Sequence, residues 1–286
     1  MFISPMLMTE KEPFTHPEYL YEPKFDGFRL IVVQINGEIT LYTRHGTNVT
    51  EKFKELLTPI CDYDFVADGE LIALNDNGMD QFNLVMSRFH SNPYKYHFNQ
   101  NSIKCQAVLF DLLMFDHRDL TPLPLLERKD LLKRHIKETP HVKRMSFVLE
   151  RGEDLFKAVQ SKNMEGCVAK RIDSKYEVNK RTKTAWFKNI AWNYNDSDIY
   201  ISGFRNKEFG WFISQKEGDK FRPVGTIEFG PSPEEKKAFY STAKQLIVKE
   251  YKDKVIIEPV IRAKIKHRNT VPGQMLRTPI FLEFVL

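Results

Sequence analysis

Three cysteines in 286 residues, Cys61, Cys105 and Cys167, are too few and too widely spaced for a disulfide framework, and no two of them form a CxxC zinc pair. That usage fits a reducing compartment and gives the expectation of a cytoplasmic protein. Apolar runs are short as well. None approaches the roughly 20 residues needed to cross a bilayer, so no membrane partner is expected. Met1-Phe2-Ile3-Ser4-Pro5-Met6 lacks the basic start and small-residue cleavage site of a secretory signal. Net charge is small too: Lys and Arg total 43 against a plentiful 38 Asp and Glu, a net charge of +5. A mildly basic field fits a polyanion partner without demanding one, and any nucleic-acid surface must be local. Internal repeats and low-complexity segments are absent.

The rest of the composition, 42% hydrophobic and 28% charged, is ordinary for a globular protein long enough for one large domain or two smaller ones. Tyr19-Leu20-Tyr21 reads as a strand, 30–35 and 38–43 as a hairpin about Asn36-Gly37, and 65–74 as a strand closed by the turn Asn75-Asp76-Asn77-Gly78. The segment 106–115 is nearly continuous in apolar residues, which predicts burial on both faces. Leu125, Leu126, Leu131, Leu132 and Ile136 share a helical face with charges between them. A second helix is expected over 153–163, with Leu155, Phe156 and Val159 inward, and a strand over 166–172. The character changes after Trp186-Phe187-Lys188. Short strands are expected at 199–204, 211–215, 224–229, 255–264 and 280–285, with one helix over 233–251. About five short strands plus a helix in roughly 90 residues suggest a small barrel of the OB type. The expected fold class is α+β: a mixed α/β domain with antiparallel sheets over 1–190, then an OB-fold β-barrel domain over 191–286, with the boundary within 190–198.

The most informative stretch is Lys24-Phe25-Asp26-Gly27-Phe28-Arg29. It sets an amine beside a carboxylate, a tight glycine turn and a permanent cation. That set suits a lysine that attacks a phosphorus atom and holds the nucleotide it captures. A free lysine has a pKa near 10.4, so about 0.04% is uncharged at pH 7, a penalty of roughly 4–5 kcal/mol for the reactive form. Arg29, Lys170, Lys188 or a divalent metal are candidates to supply a compensating field. Taken alone, Lys24 is equally a surface lysine entering a hairpin.

Glu70, in Asp68-Gly69-Glu70-Leu71, sits on an otherwise apolar strand. It either closes a core salt bridge or faces a site, where ribose hydroxyls and hydrated Mg²⁺ suit it. Glu165 and Lys170 flank the run Gly166-Cys167-Val168-Ala169. Odd spacing on a strand sends the two ends to opposite faces unless a bulge or turn at Gly166 intervenes. They read as a metal ligand and a phosphate ligand, or as solvated charges flanking a strand. Lys188 follows the basic loop Asn179-Lys180-Arg181-Thr182-Lys183, which suits a DNA backbone or merely solvent. Phe110 is either core or a base-stacking platform.

Taken in order, these blocks resemble the covalent nucleotidyltransferase superfamily of polynucleotide ligases and mRNA-capping guanylyltransferases. The nucleophile motif corresponds to Lys24 to Arg29, the third motif to Asp68-Gly69-Glu70, the aromatic motif to Phe110-Asp111, the fourth to Glu165 to Lys170 and the fifth to Trp186 to Lys188. The likeness is greatest to ATP-dependent DNA ligases, especially the ligase module of bacterial end-joining enzymes. Ser4-Pro5-Met6-Leu7 ahead of Tyr21-Glu22-Pro23-Lys24 carries it, as do Ala169-Lys170-Arg171-Ile172-Asp173-Ser174-Lys175-Tyr176 and Gly273-Gln274-Met275-Leu276-Arg277-Thr278-Pro279-Ile280-Phe281.

The resemblance implies an adenylyltransferase domain followed by the OB-fold domain. Lys24 would take AMP from ATP as a phosphoramidate and pass it to the 5′-phosphate of a nick, where the 3′-hydroxyl displaces it. Glu22 would hold the adenine, Phe110 would stack on it, and Arg29 and Glu70 would engage the ribose side. Arg44, in Thr43-Arg44-His45-Gly46, resembles a phosphate-binding arginine. Glu165, with Glu70, would hold Mg²⁺ or Mn²⁺; Lys170 and Lys188 would counter phosphate charge, and Arg277 would orient pyrophosphate. The implied partner is nicked double-stranded DNA, gripped by loops at Lys180, Arg181 and Lys183 and at Lys264, Lys266 and Arg268. A monomer serving DNA repair or end joining is expected, with end-binding or repair proteins as candidate recruiters.

Two departures stand out. Ile190 occupies the place of the fifth motif's second lysine, and the sixth motif is reduced to Arg277 in Leu-Arg-x-Pro, with no basic tail before Leu286. The competing expectations are a GTP-dependent capping guanylyltransferase, an RNA ligase, and a non-catalytic nucleic-acid-binding scaffold. An NAD⁺-dependent ligase is disfavoured because a cysteine-rich zinc module is missing.

Overall fold

The computed structural model describes residues 1–75, 78, 80–90, 103–192, 194–268 and 275–285. Asp76 and Asn77 of the expected turn, Asn193 in the expected boundary, and Gly273 and Gln274 of the C-terminal motif lie outside the described residues. The chain divides into two compact units, Met1–Ala191 and Trp192–Leu286.

In chain order the first unit carries β1 (Thr9–Glu10), β2 (Tyr19–Lys24), β3 (Phe28–Ile35), β4 (Glu38–Thr43), β5 (Phe65–Leu74), α1 (Phe82–His90), β6 (Lys104–Phe115), β7 (Arg118–Asp119), α2 (Leu125–His135), β8 (Val142–Arg144), β9 (Val148–Leu149), α3 (Gly152–Ser161), β10 (Gly166–Arg171) and β11 (Trp186–Ile190). They form two sheets, β1-β11-β10-β2-β9 and β4-β3-β5-β6-β7, with β8 beside β6. The ladders are antiparallel as expected, except for β1 on β11 and β8 on β6, which are parallel. The β3–β4 hairpin turns at Asn36 and Gly37, both at positive φ (51° and 79°), the turn whose twist matches paired strands.

Alternation along β3 divides the packing. Leu30 and Val32 enter one apolar cluster with Leu71, Leu109 and Leu112. Ile31 and Val33 enter another with Leu20, Val66, Leu113 and Trp186, which joins the two sheets. Residues 107–114 of β6 are buried on both faces, as the apolar run predicts. The β5–β6 register skips from Asp68↔Asp111 to Gly69↔Leu109, leaving Phe110 as the extra residue of a bulge. A bulge re-aims a side chain, and this one belongs to the site.

Helix α2 departs from the expected face. Leu125 and Leu132 are buried, but so are Arg128 and Lys129, whereas Leu126 and Leu131 are half-buried. Arg128 is buried because Nε and Nη2 each meet the Asp111 carboxylate at 2.8 Å, with both side chains fully buried. Lys129 meets Glu22.

The second unit contains β12 (Tyr194–Arg205), β13 (Trp211–Glu217), β14 (Lys220–Ile227), α4 (Pro233–Ala243), β15 (Ile247–Glu250), β16 (Lys254–Arg268) and β17 (Arg277–Val285). Its strand order is β14-β13-β12-β16-β15, with β17 also on β16. Leu276 N–H donates to Val224 O (2.7 Å) and Phe281 N–H to Phe229 O (3.1 Å), closing β17 back towards β14. The result is the OB-type barrel, cored by Trp211 with Phe239, whose ring centroid lies 4.3 Å away, and Phe281 at 5.5 Å.

Several boundaries differ from the sequence expectation. Helix α4 starts in a Ser232–Glu235 capping box but ends at Ala243 rather than continuing to 251. The β-branched pair Ile247-Val248 instead begins β15, which pairs with β16. Strand β16 runs through Arg268, so Lys264, Lys266 and Arg268 sit in a strand and not in a loop. Charged residues on alternate positions hid that extension. Helix α1 was not foreseen.

Candidate active site

Strands β2, β10 and β11 hold the site in register. Lys24 stands opposite Gly166, which stands opposite Ile190; Glu22, Val168 and Lys188 make the next row, and Leu20, Lys170 and Trp186 the third. Strand side chains alternate with period two, so these positions share one face of the sheet.

Glu165 joins them through Gly166. That glycine has φ 148°, and a Cβ on it would lie 2.0 Å from the Asn189 carbonyl oxygen. Only glycine lets β10 start so close to β11, and Glu165 at the strand mouth then reaches Lys24: its Oε1 is 2.8 Å from Lys24 Nζ. The turn after Lys24 is held as tightly. A Cβ on Gly27 would meet the Leu71 carbonyl oxygen at 2.0 Å. Asp26 N–H donates to Asp80 Oδ2 at 2.6 Å. Burial raises the Asp80 carboxyl above its ordinary range, against that hydrogen bond.

Arg29 lies opposite Glu70 on the β3–β5 ladder. Its Nε and Nη2 grip the Asp68 carboxylate at 2.5 Å each, Nη2 also reaches Met6 O at 3.2 Å, and Tyr176 Oη donates to Asp68 at 2.5 Å. Glu70 is half-buried, and its carboxyl is pushed up to about 7, chiefly by burial; Glu165 and Asp68 add to this against the pull of Lys24 and Arg29.

Glu22 and Lys170, placed by resemblance at the adenine and the phosphate, form one buried ion cluster with Lys129. Lys170 Nζ is 2.7 Å from Glu22 Oε2, and Lys129 Nζ contacts Glu22 Oε1 and donates to Phe110 O at 3.0 Å. Burial alone would raise the Glu22 carboxyl, but the two lysines outweigh it and hold it below the ordinary carboxylate range. Burial pushes Lys170 down to about 8. Lys170 therefore sits in the floor of a narrow slot, 3.9 Å from the Phe110 ring centroid, and not on the open cleft. Val168, Phe110, Glu22 and Lys24 also line this slot.

A wider cleft of about 630 Å³ adjoins it, sharing Lys24, Arg29 and Glu70 with the slot. Glu165, Lys188, Arg44 and Arg181 complete its charged lining. Lys188 Nζ pairs with Glu10 Oε2 at 3.0 Å. Arg44 is exposed just beyond β4. Lys180 and Lys183 are exposed on the loop before β11, but of the expected DNA contacts only Arg181 lines the cleft.

The others are on the second unit. Lys264 Nζ is 3.4 Å from Asp196 Oδ2, Lys266 Nζ is 5.4 Å from the Tyr194 ring centroid, and Arg268 is buried against Trp192. Arg268 is thus packed rather than free for a duplex. Arg277 opens β17, in register with Arg268.

Among the described residues no three His, Cys, Asp or Glu side chains gather as a protein-only metal cage. Glu165 and Glu70 fit Mg²⁺ in another way: one or two carboxylates, with substrate phosphates and water completing the shell. Sequence reasoning missed Lys129 and Asp80. Lys129 had one signal, its i+4 spacing from Leu125 on the inward helical face; Asp80 had none.

The sequence profile of the ATP dependent DNA ligase domain matches residues 5–189. The chain belongs to the ATP-dependent DNA ligase family. As a family member it is a DNA ligase enzyme of the adenylyltransferase type, ATP-using and acting on DNA. It is 36% identical over 286 residues to the SPbeta prophage-derived DNA ligase-like protein LigB of Bacillus subtilis, covering 98% of each chain. It is 27% identical to the multifunctional non-homologous end joining protein LigD of Mycolicibacterium smegmatis, over 81% of this chain and only 28% of that longer protein. In fold, this ligase superposes on mycobacterial DNA ligase D complexed with ATP and MES with a TM-score of 0.60 at 22% identity, over 99% and 95% of the two chains. A Lig E DNA ligase gives 0.64 at 15% identity, over 99% and 100%. These likenesses carry the adenylation and OB architecture.

Proposed function

We propose that this ligase seals 5′-phosphate/3′-hydroxyl nicks in duplex DNA through AMP held covalently on Lys24. The observation that carries this reading is the Lys24–Glu165 contact of 2.8 Å at the junction of slot and cleft. The slot between Phe110 and Val168 suits a flat base, with the Glu22 carboxylate kept charged to accept from an exocyclic amine. The cleft beyond it suits phosphates, facing Lys188 and Arg44.

Lys24, after losing a proton, forms a P–N bond to the α-phosphorus while the P–O bond to pyrophosphate breaks. In the second transfer a 5′-phosphate oxygen attacks that phosphorus and returns the electron pair to the amine. In the third, the 3′-hydroxyl attacks the activated 5′-phosphate, loses its proton and releases AMP. Glu165 and Glu70 would hold a divalent cation, which supplies neutralising charge at the phosphates when bound. Lys188 and Arg44 orient the phosphates, Lys170 and Lys129 fix Glu22, and Arg29, clamped by Asp68, braces the ribose side. Lys180 and Lys183 face outward, where they suit a DNA backbone. The LigD relatives suggest strand-break repair or end joining as the setting, and the sparse, scattered cysteines support a cytoplasmic one.

Incubation with ATP and Mg²⁺ should raise the protein mass by one AMP, with no gain in Lys24→Ala. Nicked duplex DNA should then be joined. Adduct formation from GTP and not ATP, or joining of RNA and not DNA, would overturn the reading.

A further inference from the structure

A second cavity, of about 530 Å³, lies in the first unit against α2 and the end of β8, and the adenylyl-transfer reading makes no use of it. Met145 lines both this cavity and the base slot, so its side chain forms a wall between them. The backbone of that wall is fixed. Arg144 stands in register with Leu109, and Met145 N–H donates to Leu109 O at 2.7 Å, next to the Phe110 bulge. The side chain is an unbranched thioether packed against the cluster of Phe110 and Leu125, where dispersion contacts hold it.

Lys129 decides which edge of the base the cavity faces. It lines the cavity, yet its Nζ contacts Glu22 and donates to Phe110 O at 3.0 Å. The cavity therefore lies behind Glu22, the carboxylate read above as acceptor for the exocyclic amine. A group carried on that amine would point past Glu22 towards Met145; a group on the opposite, C8 edge would not.

The charges around the cavity decide what it takes. Lys129 pairs with Glu22 and Asp130 with Arg134. Arg144 pairs with Glu138 at 3.7 Å and also donates its N–H to that carboxylate at 2.9 Å. An anion gains little from cations already partnered. Leu126, Leu132, Met145 and Phe147 offer apolar surface instead, and the Phe147 ring, its centroid 5.2 Å from Lys129 Nζ, is partly exposed for stacking on an aromatic group.

We infer that Met145 sets the end of the base slot, and that the cavity behind it is a subsite for an apolar or aromatic group on the exocyclic amine of an adenine nucleotide. Met145 is then a specificity-determining residue: it excludes nucleotides enlarged at that edge. The inference rests on the adenylyl-transfer reading above and deepens it.

The test compares wild type, Met145→Ala and Met145→Ala/Ser146→Phe. Adduct formation on Lys24 is followed by mass with ATP, with N6-benzyl-ATP and with ATP carrying the benzyl group on C8. Ser146 is exposed and lines the cavity but not the slot, so a phenyl ring there fills the cavity from outside. The readout is the kcat/KM for each analogue divided by that for ATP, a ratio from which a general loss of activity cancels. Met145→Ala should raise the N6-benzyl ratio at least about tenfold, leave the C8 ratio where it was, and lose its gain when Ser146→Phe is added. Calorimetric affinities in a Lys24→Ala background should fall in the same order. That arm judges the cavity even if the wild type forms no adduct, a result that would sink the transfer reading instead. Wild type that takes N6-benzyl-ATP as readily as ATP, an unchanged ratio in Met145→Ala, an equal gain for the C8 analogue, or a gain that survives Ser146→Phe would overturn the assignment.

Discussion

The Glu165 carboxylate stands 2.8 Å from the Lys24 amine because Gly166 lets β10 begin against the Asn189 carbonyl. Under the proposed reading, that carboxylate draws a divalent cation to the phosphates. Glu165→Gln keeps the shape and removes the charge. Adenylation should fall about 10- to 100-fold, with a higher Mg²⁺ requirement. A Mg²⁺ titration of adduct formation checks this, and a curve identical to wild type would refute it.

Glu70 gives the site a pH signature. Its folded pKa is about 7, raised by burial above the roughly 4.3 of an unfolded glutamate. The folded state therefore binds the extra proton between those values. Stability from this group is fully present below about pH 4.3 and is lost as pH rises through 7. Glu70→Gln removes that loss. It should be more stable than wild type at pH 8 by on the order of 2 kcal/mol, discounted for partial exposure, with the gap closing by pH 4. Urea unfolding at both pH values measures it. Adenylation by wild type should rise with pH through about 7, and that rise should be missing in Glu70→Gln.

Asp80 braces the turn that follows Lys24. Its Oδ2 accepts from Asp26 N–H at 2.6 Å. Asp80→Asn keeps an acceptor there and Asp80→Ala does not. Adenylation should slow about tenfold in the alanine variant and stay near wild type in the asparagine variant. Joining of a nick that already carries AMP on its 5′-phosphate needs no attack by Lys24 and should respond to neither. Equal slowing by both variants would make the Asp80 charge, not its hydrogen bond, the relevant property.

The order of motifs along the chain was legible because each is local: the Lys24 hexad, the Asp68-Gly69-Glu70 strand and the glycine that opens β10 all announce their backbone needs. Long-range charge pairing was not. Arg128 and Lys129 read as solvent-facing breaks in a leucine stripe, since a sequence assigns charges outward by default. Their partners, Asp111 and Glu22, sit on strands of different sheets. The same default mistook the alternating cations at 264, 266 and 268 for a loop. Phe110 remained ambiguous between core and slot because a bulge, invisible to periodicity, decides which way it faces.

Arg128 and Asp111 supply the largest expected stability change. Both side chains are fully buried, and Arg128 Nη1 also donates to Leu123 O (2.5 Å) and Ser174 O (3.0 Å). Arg128→Ala strands the fully buried Asp111 carboxylate without its guanidinium partner, which should cost about 3–5 kcal/mol. Replacing both partners, as in Arg128→Met with Asp111→Leu, removes the stranded charge and should recover much of that loss. It still leaves the Leu123 and Ser174 carbonyls without their donor, so recovery should be partial. Urea midpoints of the two single variants and the double give the coupling directly. If the single and double variants lose equal stability, desolvation of an unpaired carboxylate is not what makes this pair matter.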